Sequence, residues 1–352
     1  MKKLAALLLS LLMILSFSAC AKTDQADKEG QGEKTLVVST WGLGEEHLME
    51  DVFKPFEEKF NVKVVLEMAT TAERLNKLKE NPNSEVDVIE LSQAAAADAQ
   101  DLGLVDKVDP AKVENIDKLI APAKEVADKG YGAPFVVNSI GIIYNPNTIK
   151  KEIKEWADLW DEDLKGKVAI PDITTTFGPA MVALAGELAN TPIDKDNGAQ
   201  AFKKLEELKP NIVKAYAKSS DLAAMFANGE VDAAVIGDFG VDMIKKANEN
   251  AVYVVPQSGT YVNFNTVEIN KNSKNKDLAL EYLNFRLSQE VQERTAKSLN
   301  EGPTNADVKL DEETALNKTY GDVINRTKVL DHNMINKNLS DWVEKFNAIM
   351  NK

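Results

Sequence analysis

Apolar and polar positions follow two alternating periods along the chain, and the changes of period predict strands followed by helices. Residues 35–40 form a β-branched run typical of a strand, residues 48–60 place apolar side chains at helical spacing, and residues 62–66 return to a strand pattern. Further strand and helix pairs follow at 86–91 with 94–102 and at 168–170 with 179–188. This alternation predicts a mainly parallel α/β fold.

Two longer extended stretches and the length of the chain indicate more than one lobe. Residues 132–144 and 260–269 have the pattern of strands that cross between lobes, and a helix at 276–287 is predicted after the second. A chain of 352 residues is long enough for two lobes of roughly 100 to 200 residues each. Near the C-terminus, residues 341–350 have the spacing of an amphipathic helix packed on one lobe.

The N-terminal residues have the order of an export signal. Two lysines precede an apolar run at 4–17, and Ser18 and Ala19 then lead to Cys20. The run is shorter than the roughly 20 apolar residues that a membrane-spanning helix needs. The segment ending at Cys20 is similar to a bacterial lipobox, which implies that this cysteine is diacylated and becomes the new N-terminus. An ordinary signal peptide followed by an unmodified cysteine is the alternative.

Composition after the signal peptide (1–19) narrows the classes of partner. Residues 20–34 are mostly small and polar, which predicts a flexible tether between the lipid and the folded part of the protein. The net charge of the full sequence is −14, and loss of Lys2 and Lys3 with the signal peptide makes it more negative still, which disfavours nucleic acid and anionic lipid surfaces as partners. The same charge would attract a cationic ligand.

Motifs for catalysis and for metal binding are missing from the sequence. The two histidines, His47 and His332, lie far apart without paired spacing, and the one cysteine is assigned to lipidation. Neither a G-x-S-x-G nucleophile elbow nor a Walker sequence occurs. We therefore expect no enzymatic activity, no cofactor and no metal.

Five segments, in this order, resemble the spermidine/putrescine-type binding proteins of ABC transporters. They are FKPFEEKF at 53–60, GIIYN at 141–145, WADLW at 156–160, LKGKVAIPD at 164–172 and ALEYLNFRLSQEVQ at 279–292. The resemblance covers nearly all of residues 35–305. It implies an α/β, two-lobed periplasmic-binding-protein-like (type II) fold with hinge crossover strands and a cleft.

The resemblance also implies how the chain is divided and what it does. Residues 35–138 and 261–302 would form the first lobe, and residues 139–260 and 303–352 the second. The protein would be a monomeric lipoprotein on the outer face of the cell membrane, extracytoplasmic or periplasmic. It would capture a small molecule in the cleft and deliver it to an ABC permease and ATPase complex.

Candidate ligand-binding residues are those that follow strands, because loops at the carboxyl ends of strands border the cleft in α/β lobes. Trp41 follows the first predicted strand, and the resemblance implies an aromatic face for the ligand there. Packing of this indole within the lobe is the alternative. Ser92 follows the strand at 86–91, where it is either a ligand donor or the N-cap of the next helix.

Asp172, Thr175 and Thr176 form a second candidate group. The resemblance implies that Asp172 holds an ammonium group, with a turn role as the alternative. Polyamine binders carry an acidic residue three positions further on, where this chain has Thr175. The threonines precede a helix predicted from 179, which suits an anionic or hydroxyl group, and a plain capping cluster is the alternative.

The remaining candidates follow two later strands. Asp238 and Phe239 come after the strand at 233–236, and we expect a cation partner and a stacking face there, with turn chemistry as the alternative. Asn263 and Asn265 occupy the positions of an aromatic residue and a carboxylate in the family. Asp172 and Asp238 are the only carboxylates among these candidates. Because an unpaired buried ammonium costs several kcal/mol, a solute with one amine fits this set better than a solute with three.

The sequence thus predicts a small, polar, amine-containing solute such as putrescine or spermidine. An aminoalkylphosphonate or a thiamine-like ligand is the alternative chemistry. A ligand-sensing lipoprotein that signals to a receptor would use the same fold, and a structural or adhesive lipoprotein is the third possibility.

Overall fold

The computed structural model describes residues 34–42 and 44–352. The predicted signal peptide, Cys20 and nearly all of the tether lie outside the described residues. Residues 35–352 belong to one compact unit.

The strands of the described residues include each one that the hydrophobic pattern predicts. In chain order they are β1 (Lys34–Thr40), β2 (Val62–Met68), β3 (Val88–Ser92), β4 (Ala133–Tyr144), β5 (Val168–Pro171), β6 (Ile212–Tyr216), β7 (Ala233–Gly237), β8 (Val252–Val254), β9 (Thr260–Ile269), β10 (Gly302–Pro303) and β11 (Thr327–Val329).

Helices lie on both faces of the sheet that these strands form, since the neighbouring β3 residues Val88 and Ile89 belong to separate apolar cores that both include helical residues. They are α1 (Glu45–Leu48), α2 (Lys54–Phe60), α3 (Thr71–Glu80), α4 (Gln93–Asp101), α5 (Ala121–Ala127), α6 (Gly178–Leu188), α7 (Ile193–Asp196), α8 (Ala199–Leu208), α9 (Ser219–Ala227), α10 (Val241–Ala247), α11 (Lys276–Arg286), α12 (Gln289–Ser298), α13 (Glu312–Ala315) and α14 (His332–Met350). A π-helical segment, Met49–Phe53, joins α1 to α2. Within the described residues, no helix combines the length and the apolar character needed to cross a bilayer.

Local sequence explains where several helices begin. The Thr70 hydroxyl accepts a hydrogen bond from the Glu73 backbone, and the Glu73 carboxylate accepts one from the Thr70 backbone, so a capping box starts α3. Helices α5 and α6 carry a proline in the first turn, where an N–H has no partner within the helix.

The strand order is β2-β1-β3-β9-β4-β7-β5-β6, with β8 and β10 paired to β4 and β11 paired to β9. Parallel pairs join β1 to β3, β5 to β6 and β5 to β7. At the centre, however, β9 runs antiparallel to β3 and β4, and β4 runs antiparallel to β7. The prediction of a mainly parallel sheet is therefore wrong at the centre, whereas the predicted α/β fold with crossover strands is confirmed.

Strand β4 passes from one lobe to the other without a break. Residues 133–139 pair with β9, and residues 140–144 pair with β7. Phe135, Val136 and Val137 belong to an apolar core with Phe53, and Ile140, Ile142 and Tyr144 belong to a second core with Trp342. We call the structures around these two cores the first lobe and the second lobe.

The C-terminal part of the chain contacts both lobes. Backbone bonds join Thr304 to Ile120 and Ala306 to Lys118, all in the first lobe. Helix α14, which contains the helix predicted at 341–350, packs its apolar face into the core of the second lobe. The chain therefore crosses the lobe junction again after β10.

Asp238 forms a buried polar connection at this junction. One carboxylate oxygen accepts from Asn138 Nδ2 at 2.9 Å and from the Phe239 backbone at 2.8 Å. The other accepts from the Thr319 backbone at 2.9 Å and from the Thr319 hydroxyl at 2.5 Å. Burial raises the pKa of Asp238 from near 3.8 to about 6, although the hydrogen bonds from Thr319 and Asn138 partly oppose the rise.

This raised pKa predicts the pH dependence of an Asp238→Asn variant. The folded protein holds the Asp238 proton more tightly than the unfolded chain, so its contribution to stability is full below about pH 4 and is lost as the pH rises toward 6. Asparagine does not titrate. We expect the free energy of unfolding of the variant, relative to wild type, to increase by about 3 kcal/mol between acidic and neutral pH. Urea unfolding across this range measures it, and parallel pH profiles would contradict it.

Trp342 tests the packing of α14. Its indole is fully buried, lies 5.9 Å from the Phe202 ring centroid and donates to the Asn197 carbonyl at 3.0 Å. We expect Trp342→Ala to lower the free energy of unfolding by about 3 to 5 kcal/mol, because it leaves a large cavity. The exposed Glu344 on the same helix is the matched control, and Glu344→Ala should change stability by less than about 0.5 kcal/mol. Equal losses would contradict the assignment.

Candidate functional site

A cavity of about 220 Å³ lies where the carboxyl ends of β1 and β3 meet the crossover strands. Parallel strands that end together leave their following loops at one edge, which is where ligands bind in α/β folds. The lining residues are Thr40, Trp41, Leu48, Thr71, Glu90, Ser92, Phe135, Val136, Asn138, Thr176, Phe239, Asn263, Asn265, Arg286, Leu299, Asn300 and Glu301. Two other cavities of comparable volume are each lined by one lobe alone, whereas this cavity takes residues from both.

Two aromatic side chains border the cavity. The Trp41 indole donates to the Thr71 hydroxyl at 3.1 Å, and the Arg74 guanidinium lies 4.0 Å from the centre of its ring. Phe239 is 42% exposed and stacks on Phe177 with a centroid distance of 6.2 Å. Because Arg74 already supplies a cation to Trp41, the indole is better placed to contact an alkyl stem than an ammonium group.

Glu90, Arg286 and Glu301 form a charged triad at the cavity floor. Arg286 donates from Nε to Glu90 at 3.2 Å and from Nη2 to Glu301 at 3.4 Å. Thr40 and Tyr282 donate to the two oxygens of Glu90 at 2.6 and 2.9 Å. Glu90 and Arg286 are each only 1% exposed, so their charges interact across a weakly screened environment.

The triad has an excess of acid over base. Burial opposes the charge on Arg286, but the neighbouring carboxylates of Glu301 and Glu90 outweigh it and raise the pKa of the guanidinium. Burial raises the pKa of Glu301, and Arg286 partly offsets that rise. Two carboxylates thus share one permanent cation at the floor.

The rest of the wall is rich in neutral hydrogen-bonding groups. Ser92 occupies the N-cap position of α4, but its side chain makes no capping hydrogen bond within the described structure. Asn263 donates from Nδ2 to the Asn265 side chain at 3.2 Å. Asn138, Asn300 and Thr176 also line the cavity. The structure therefore brings together six of the predicted site residues, namely Trp41, Ser92, Thr176, Phe239, Asn263 and Asn265.

Three other predicted site residues do not line this cavity. Asp172 accepts hydrogen bonds from the Thr174 backbone at 2.9 Å and from its hydroxyl at 2.6 Å, and Thr175 donates to the Asp172 carbonyl at 2.7 Å. These contacts are the turn chemistry left open as the alternative. The Asp238 carboxylate is occupied by the junction bonds described above.

Sequence reasoning missed the charged triad. The strand pattern at 86–91 includes Glu90 without marking it as a site residue, and Arg286 and Glu301 lie at the end of α11 and after α12. The usable signal was Glu90 itself, since an acid between Ile89 and Leu91 in a fully buried strand needs a partner or a function. In the described residues, no cluster of three or more His, Cys, Asp or Glu side chains is arranged to hold a metal.

Comparisons with known proteins show the family of this chain. Residues 51–320 match the bacterial extracellular solute-binding protein family. Spermidine/putrescine-binding periplasmic protein 1 of Haemophilus influenzae is 26% identical over 320 residues, covering 88% of this chain and 87% of that protein.

Solved structures share the fold. The crystal structure of an ABC transporter protein from Clostridium perfringens is 51% identical, has a TM-score of 0.84, and the match covers 90% of this chain and 99% of that one. A spermidine/putrescine substrate-binding protein from Streptococcus pneumoniae is 22% identical with a TM-score of 0.76, matched over 90% of this chain and all of that one. This chain therefore belongs to the bacterial extracellular solute-binding proteins, and it is a non-enzymatic substrate-binding protein of an ABC importer.

Proposed function

We propose that the cavity captures a small polar solute that carries an amine. The observation that supports this most directly is the charged triad, in which Glu90 and Glu301 flank Arg286 and the Glu301 carboxylate stays partly exposed. Opposite unit charges about 4 Å apart attract by about 4 kcal/mol at the effective dielectric of a partly buried site. An ammonium group at the cavity floor would meet the Glu301 carboxylate, which is 18% exposed.

Glu301 is the better placed of the two carboxylates to contact the amine. Its side chain is 18% exposed, whereas that of Glu90 is 1% exposed. Glu90 already accepts from Thr40, Tyr282 and Arg286. We therefore assign ammonium contact to Glu301 and a positioning role to Glu90.

The names of the relatives support an amine-containing solute for this protein but do not identify the solute. Several are named as binding proteins for spermidine and putrescine. In this chain Asn263 and Asn265 stand on the cavity wall, and Asp172 and Asp238 are held in other hydrogen bonds. Between Trp41 and Phe239 the wall offers room for an alkyl stem, so the solute we propose has one amine near Glu301 and a short apolar stem.

We further propose that the protein works as a monomeric lipoprotein. Diacylation of Cys20 would fix it to the outer face of the membrane, and residues 21–34 would let the folded part reach the permease. The polar composition of that segment supports a flexible tether.

An isothermal titration of Glu301→Gln tests the amine site. With putrescine and spermidine as probes, we expect the dissociation constant to rise at least about 10-fold, because the substitution removes a carboxylate that pairs with the ammonium. Glu290→Gln is the matched control, since Glu290 is 81% exposed and outside the cavity. Unchanged affinity in Glu301→Gln would refute the assignment, as would an equal loss in the control.

Cell fractionation of a Cys20→Ser variant tests the anchor. In a bacterial host that processes lipoproteins, we expect the wild type in the membrane fraction and the variant in the soluble extracytoplasmic or secreted fraction, since the serine cannot carry the thioether-linked lipid. The folded part should be unaffected and should keep its thermal unfolding midpoint. The same distribution for both proteins would contradict the proposed anchor.

A further inference from the structure

Two buried atoms of the cavity wall have no hydrogen-bond partner among the described residues. They are Arg286 Nη1 and Asn263 Oδ1. Both side chains line the cavity, and they are 1% and 4% exposed. A buried donor or acceptor without a partner costs about 1 to 3 kcal/mol, and more when it is charged. Groups that stay unpaired in a ligand cavity indicate which atoms the ligand brings.

Arg286 cannot turn to satisfy Nη1 elsewhere. Its Nε and Nη2 donate to Glu90 and Glu301, and its guanidinium carbon lies 4.0 Å from the centre of the Phe135 ring. Two hydrogen bonds and a stacked face fix the plane of a guanidinium group. The unpaired Nη1 therefore requires an acceptor that comes from outside the protein.

Asn263 has the opposite requirement. Its Nδ2 donates to Asn265, which leaves Oδ1 as an acceptor in need of a donor. Arg286 Nη1 thus needs a hydrogen-bond acceptor from the solute, and Asn263 Oδ1 needs a hydrogen-bond donor. A diamine in its charged form carries donors only, so it can satisfy Asn263 and Glu301 but not Arg286.

We infer that the solute is a zwitterion, with an ammonium group at one end and an oxyanion such as a carboxylate or phosphonate at the other. This inference rests on the proposed function, because it assumes that Glu301 and Asn263 receive the ammonium. The oxyanion accepts a charge-assisted hydrogen bond from Arg286 Nη1. Each end of the solute then faces a group of opposite charge or opposite hydrogen-bonding sense.

Charge balance separates this solute from a polyamine. The second ammonium of a diamine would lie in a cavity whose floor contains the fixed positive charge of Arg286, and like charges repel. Replacing that ammonium with a carboxylate of similar length turns the repulsion into attraction. The pair putrescine and 4-aminobutanoate differs in this one end group.

Titration calorimetry of the full chain with these two probes tests the inference. For wild type, we expect 4-aminobutanoate to bind at least about 10-fold more tightly than putrescine. In Arg286→Gln the preference should reverse, because the charged donor to the oxyanion is lost and Glu90 and Glu301 are left without the cation that they flank. Arg294→Gln is the matched control, since Arg294 pairs with Glu290 and does not line the cavity; it should keep the wild-type preference.

The remaining outcomes each decide the question. Tighter binding of putrescine by wild type overturns the zwitterion while the amine site stands. Equal binding of the two probes means that water satisfies Arg286 Nη1, which also overturns it. Binding of neither probe removes the proposed amine function and the inference with it. The wild-type comparison remains decisive even if Arg286→Gln fails to fold.

Discussion

The antiparallel pairing of β4 with β9 is the constraint on which the rest of the structure depends. Six residue pairs, from Ala133 with Val267 to Ser139 with Val262, hold the two crossover strands side by side. The same two strands contribute Phe135, Val136, Asn138, Asn263 and Asn265 to the cavity wall. The connection between the lobes and much of the binding surface are therefore the same piece of backbone. Movement of one lobe relative to the other must alter the cavity.

The buried charges show where stability and binding make different demands. An ion pair such as Glu90 with Arg286 recovers the cost of its desolvation only when every polar atom is satisfied. Glu90 meets that condition through Thr40 and Tyr282, whereas Arg286 retains one unpaired N–H. A fold selected for stability alone would place an apolar side chain there. A cavity that must hold a charged solute explains why a charge is kept.

Local periodicity predicted the strands and helices well, because the spacing of apolar residues within an element reflects which of its side chains face the core. The strand at 35–40 and the helix at 179–188 match Lys34–Thr40 and Gly178–Leu188 closely. The antiparallel centre was missed, since pairing partners far apart in sequence leave no local signal. The same distinction holds for the site residues. Trp41 and Ser92 could be predicted, because they follow strands and line the cavity. Asp238 follows a strand too, but it bonds to Asn138 and Thr319, which lie 100 and 81 positions away.

A crystal structure grown with the tightest-binding probe among putrescine, spermidine, 4-aminobutanoate and 2-aminoethylphosphonate tests the central claim most directly. The account predicts solute density in the cavity between Trp41 and Phe239, with the amine within hydrogen-bonding distance of Glu301. It also predicts that Asp172 and Asp238 keep the hydrogen bonds they make here. Density in another cavity, or an amine bound to Asp172 or Asp238, would contradict the account.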